Sequence, residues 1–149
     1  QNGTTDPQSD AISPAYTTGF LDYLHRDLGV SKKLNYKTSA YSSKDFNWDW
    51  KHKGNEGWGT QSAINTGIDM AEAMNKDPNV KVLIMNGIYD LATVFYGVEH
   101  SLDHLNLRPE IRKNIIMTYY EAGHMMYIEK KSLTQLKSDL EKFMQNSMR

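Results

Sequence analysis

Two side chains in this sequence stand where acid–base chemistry could be done. Asp90 lies four residues past Asn86, the end of the apolar run Val80–Asn86 (VKVLIMN). His124 lies four residues past Tyr120, the end of a second such run, Asn114–Tyr120 (NIIMTYY). A carboxylate that accepts the Nδ1–H of an imidazole fixes its tautomer. It also stabilises the imidazolium that forms when Nε2 takes a proton. Together the two residues could be the orienting acid and general base of nucleophilic catalysis. Each also has a plainer role: an acid before a helix caps it, and a loop histidine can be satisfied by backbone. The matched offsets, with Gly87 and Gly123 allowing a tight turn before each residue, favour the pair.

The elements between them must bring them together. Leu91 to about Leu105 has a helical pattern, so the segment reads strand, helix, strand. Such a unit makes its two strands parallel through a right-handed crossover. Their C-terminal ends then share one edge of the sheet, with neighbouring strands about 4.8 Å apart. Ligands of open α/β sheets bind at that edge.

The remaining chain supplies the surroundings. Residues 1–10 read as loop. Ser13-Pro14 predicts a helix start with Pro14 in its first turn, an apolar stripe of Phe20, Leu21, Leu24 and Leu28, and a stop at Gly29. His25 on this helix reads as an ordinary surface histidine rather than a site residue. Leu34–Tyr41 predicts a short strand. Ser42–Gly59 reads as irregular and holds Trp48, Trp50 and Trp58, which could wall a cleft or anchor a long loop. Ser62–Asn75 predicts a helix that ends at Asp77-Pro78. The capping pattern Ser132-Leu133-Thr134-Gln135 predicts a final helix with a buried stripe of Leu133, Leu136, Leu140, Phe143 and Met144. The alternation of helices and apolar runs predicts an α/β class.

Composition narrows the partners. The net charge is −1, which gives no broad electrostatic case for nucleic acid or a membrane surface. No apolar run approaches the roughly 18 residues that span a bilayer. Without cysteine, disulfides, thiolate metal sites and a cysteine nucleophile are excluded within these residues. The opening, Gln1-Asn2-Gly3-Thr4-Thr5-Asp6-Pro7, reads as the middle of a protein.

Val82–Phe95 (VLIMNGIYDLATVF) and Tyr119–Ile128 (YYEAGHMMYI) resemble the acid and histidine blocks of the bacterial serine carboxypeptidases, the S10 peptidases. Ser132–Phe143 resembles that family's last helix. Asn47–Trp50 and the Asp6–Leu24 segment resemble what precedes its acid block. The resemblance implies the C-terminal part of an α/β-hydrolase fold, with chain order Ser, Asp, His. Residues 1–60 would be a helix and aromatic loop near the cap or cleft, and residues 61–149 the last strand–helix units. It implies Asp90 as triad acid, His124 as general base and Met125 as part of the pocket for the leaving C-terminal residue. The implied reaction removes a C-terminal amino acid from a peptide or protein through an acyl-enzyme, without a cofactor. The implied setting is export, periplasmic or secreted.

One part of that machinery is missing. No Gly-x-Ser-x-Gly elbow occurs in the sequence, and Gly59-Thr60-Gln61-Ser62-Ala63 does not fit it. The nucleophile is therefore expected on an N-terminal portion or chain of the same protein. Alone, this chain is expected to be inactive and poorly folded. Two alternatives share the strand–Asp–strand–His ending: another α/β-hydrolase such as an esterase or acyltransferase, and a non-catalytic module that keeps the pair. His100 and His104 have zinc-ligand spacing, but Asp103 stands where the inverted zinc-peptidase motif needs Glu, so no metal is expected. Lys51-His52-Lys53 reads as solvated loop.

Overall fold

In the computed structural model, residues 7–38, 47, 49–54, 57–60 and 64–148 are described. They divide into two compact units, residues 1–49 and 50–149.

The first unit is built on α1 (Pro7–Arg26). The expected start at Ser13-Pro14 is wrong. Pro7 takes the first-turn position that tolerates a missing N–H, and the helix runs on through Pro14. Past α1, Gly29 adopts a left-handed φ of 66°. The turn there closes with Val30 N–H donating to the carbonyl of Leu24 at 2.9 Å. The His25 ring bonds the Val30 carbonyl through Nδ1 at 2.9 Å, which gives it a structural role. Phe20 and Leu28 of the expected stripe are exposed, while Leu21 and Leu24 are half-buried. No strand forms over Leu34–Thr38, and Leu34 N–H is used in a turn to the Ser31 carbonyl. Residues 39–41 of that expected strand lie outside the described residues, as does Trp48.

The second unit opens with an antiparallel hairpin, β1 (Lys51–Gly54) and β2 (Gly57–Thr60), in which Lys51 faces Thr60 and Gly54 faces Gly57. This corrects the expectation of a loop over both strands. Trp50, just before β1, is 57% exposed and so is no buried anchor. Helix α2 (Gly67–Lys76) starts later than expected, after the Asn65 side chain accepts the Gly67 N–H at 3.0 Å. Residues 61–63 of the expected helix lie outside the described residues.

The centre is mixed helix and strand, compatible with an α/β class. β3 (Val82–Gly87) and β4 (Ile115–Tyr120) pair in parallel, Val82 opposite Ile115 and Gly87 opposite Tyr120. Between them lie α3 (Phe95–Asp103) and the single turn α4 (Pro109–Arg112). Met74 of α2, Leu102 of α3, Ile111 of α4 and Ile115 of β4 form a buried cluster against Val82, Ile84 and Met117. These strand residues share one face of the sheet. Tyr120 points the other way and is fully buried, with its hydroxyl bonded to Asp139 of α5 (Lys130–Ser147) at 3.3 Å. Helices therefore cover both faces.

Helix α5 begins two residues before the expected Ser132. The Glu129 carboxylate accepts the N–H groups of Lys131 and Ser132, at 3.0 and 2.6 Å, and supplies the cap. Ser132 itself is buried. Of the expected buried stripe, Leu136 and Phe143 are half-buried, while Leu133, Leu140 and Met144 are exposed. Among the described residues the parallel sheet has two strands, so the outer edge of each carries no partner strand. No helix among the described residues is long and apolar enough to cross a membrane.

Candidate functional site

The site is made by two turns that leave the same end of the sheet. After β3 the chain turns through Ile88 and Tyr89, and Asp90 N–H donates to the Gly87 carbonyl at 3.2 Å. After β4 it passes through Glu121, Ala122 and Gly123 to His124. Backbone bonds join the two turns: Ile88 N–H to the Tyr120 carbonyl at 2.9 Å, and Tyr89 N–H to the Ala122 carbonyl at 3.0 Å.

On that frame the His124 Nδ1 lies 2.8 Å from Asp90 Oδ2. The other carboxylate oxygen, Oδ1, accepts the N–H groups of Ala92 and Thr93, both at 2.8 Å. These bonds explain why the expected helix from Leu91 starts only at Phe95: the carboxylate holds the first residues in a turn. Asp90 thus does both jobs considered for it, closing a turn before a helix and meeting the histidine.

The electrostatics follow from the same contacts. Asp90 is buried, at 6% exposure. The Thr93 amide contributes most to holding its carboxyl below the usual carboxylate range. Burial opposes this, and the His124 bond and the Ala92 amide add to the lowering. An ionised carboxylate only accepts hydrogen bonds, so the shared proton sits on His124 Nδ1. In the neutral ring, Nε2 keeps its lone pair. The His124 side chain is 53% exposed, so the ring is accessible as a base.

Neighbouring contacts fix the loop around the histidine. Glu121 pairs with Lys131 at 2.9 Å, which ties the turn after β4 to the first turn of α5. Met125 is half-buried directly after His124, and its carbonyl accepts Ile128 N–H at 3.1 Å from a short 3-10 turn, Met126–Ile128.

A second acid–histidine contact escaped sequence reading. His52 Nε2 of β1 lies 2.7 Å from Asp69 Oδ2 in the first turn of α2. No spacing rule links the two residues, because the hairpin that carries His52 reads as loop. This contact fastens the hairpin to α2. His100 and His104 stack with ring centroids 4.1 Å apart, and His104 Nδ1 bonds the His100 carbonyl. Asp103 is paired with Arg112 at 3.0 Å. Among the described residues no group of three or more histidine, aspartate or glutamate side chains could hold a metal ion.

Compared with known proteins, the chain matches no family model, no curated protein and no solved structure.

Proposed function

We propose that this chain is the acid–histidine portion of a serine carboxypeptidase of α/β-hydrolase type. The observation that carries the reading is the 2.8 Å bond from His124 Nδ1 to a buried Asp90, made at the C-terminal edge of two parallel strands. His124 acts as general base toward a serine hydroxyl and later returns the proton to the leaving amine. Asp90 keeps the ring in the required tautomer and stabilises the imidazolium. The choice of a peptidase rests on the resemblance of Val82–Phe95 and Tyr119–Ile128 to the S10 blocks. Met125 borders the pocket for the departing residue in the same reading, and the protein is exported.

The serine comes from an N-terminal portion or chain of the same protein. The incomplete covering of this one supports that need. The two-stranded sheet has outer edges without a partner strand among the described residues, and α5 keeps Leu133, Leu140 and Met144 exposed. Such surfaces are normally covered.

The test is a serine-reactive phosphonate probe on the intact protein, followed by assay with N-blocked dipeptides. Labelling of a serine on the complementary portion, with release of free C-terminal amino acids, supports the reading. Labelling with ester cleavage alone points to an esterase or acyltransferase instead. Absence of labelling leaves a non-catalytic module and sinks the proposal.

A further inference from the structure

The Asp90–His124 bond requires two backbone turns to pass unusually close to each other, and the closest approach is at Gly87. A Cβ at that position would collide with the Gly123 carbonyl oxygen, and it would lie 2.8 Å from that of Ala122 and 3.0 Å from the Gly123 carbonyl carbon. All three atoms are backbone, so none can swing aside as the end of a side chain would. Carbon–oxygen contacts settle at roughly 3.3 Å or more, so an alanine here forces the histidine turn back by about 1 Å. The conformation of Gly87 is not the constraint. Among the described residues Gly29 is the glycine with positive φ, so alanine could adopt the backbone angles of position 87. The requirement is space alone.

The other glycine of the site behaves differently. A Cβ at Gly123 meets the Tyr89 carbonyl oxygen at 3.9 Å, an ordinary contact. Both glycines precede a functional side chain, Gly87 by three residues and Gly123 by one, yet only Gly87 is sterically bound. The backbone bonds from Ile88 and Tyr89 hold the turns together at the same place.

We propose that Gly87 is the positioning residue of the pair: the missing side chain sets the separation between the Asp90 and His124 backbones at which their bond can close. This inference rests on the reading of Asp90 and His124 as a catalytic pair, but its first readout does not need activity. A displacement of about 1 Å is enough to break a hydrogen bond and to lower a positioned reaction on the order of 100-fold.

The experiment follows the His124 Nδ1–H proton by nuclear magnetic resonance in the intact protein, with nitrogen-labelled histidine. The signal is assigned by its loss in Asp90→Asn. Gly87→Ala is expected to lose the signal or move it upfield, while Gly123→Ala and Gly97→Ala keep it. Gly97 has nothing within 4 Å of a Cβ, so it controls for added helix propensity. In the active protein, Gly87→Ala is expected to lower kcat on the order of 100-fold with KM little changed. An unchanged signal in folded Gly87→Ala overturns the proposal. Should that variant not fold, amide exchange in the unaltered protein decides. The Ile88 and Tyr89 amides must exchange as slowly as those within β3 and β4, and fast exchange at both overturns the proposal. Loss of the signal in Gly87→Ala in a protein that no phosphonate labels would support the positioning role and reject the hydrolase reading.

Discussion

His124 Nδ1 meets Asp90 Oδ2 at 2.8 Å across 34 positions of sequence, and the carboxylate is held from its other oxygen by the amides of Ala92 and Thr93. The acid cannot rotate without breaking three bonds. In the proposed function its role is to hold a ring, and the proton chemistry falls to the ring.

Removing the charge of Asp90 therefore leaves the shape but spoils the tautomer. Under the proposed function, Asp90→Asn in the intact protein is expected to lower kcat by about 10³–10⁴-fold, with folding retained. His124→Gln should abolish turnover to a similar degree. Steady-state kinetics with an N-blocked dipeptide, alongside circular dichroism, checks both.

Acid should loosen the same turn. The carboxyl of Asp90 is lowered in the folded protein, chiefly by the Thr93 amide. Its contribution to stability is thus fully present above the unfolded value of about 3.9 and is lost as pH falls through the folded value. Amide exchange at Ala92 and Thr93 should rise in that acid window, beyond the change in overall stability. In Asp90→Asn the extra rise should vanish.

The alternation of helices and apolar runs made the parallel pair legible in sequence, because helices pack on both faces of β3 and β4 and the strands need no strict polar alternation. Asp90 and His124 were legible as a result, since equal offsets from paired strands bring two loops to one height. The boundaries were not. Helix α3 starts late because the Asp90 carboxylate competes for its first amides, and α5 starts early because Glu129 reaches forward to cap it. The hairpin was hidden by its composition: Lys51-His52-Lys53 has no apolar face to signal a strand. The contact of His52 with Asp69 depends on that hairpin and so was hidden with it.

The core should respond to cavity formation. Met74 is fully buried among Leu102, Ile111 and Ile115. Met74→Ala is expected to cost about 2–5 kcal/mol, read as a lowered urea midpoint in the intact protein. A change under about 0.5 kcal/mol would contradict the packing described.

The hairpin should come loose when its fastening is removed. His52→Ala is expected to raise exchange and proteolysis over residues 51–60 while the β3–β4 amides stay protected. Uniform loosening of the whole unit would show instead that the contact with Asp69 carries global stability.

The proposed function requires a complementary portion, and without one this chain should bind a hydrophobic dye through the exposed Leu133, Leu140 and Met144 and associate on gel filtration. It should release no amino acid from blocked dipeptides. Adding the complementary portion should suppress the dye signal and restore turnover.

Helix α5 runs back along the sheet. It begins beside the histidine turn through Lys131 and Glu121, and near its end the Asn146 carbonyl accepts Lys81 Nζ at 2.6 Å, just before β3. The six residues of β3 separate that end from the acid by roughly 20 Å. One helix thus grips the entry to the strand before the acid with its last turn and the exit of the strand before the histidine with its first.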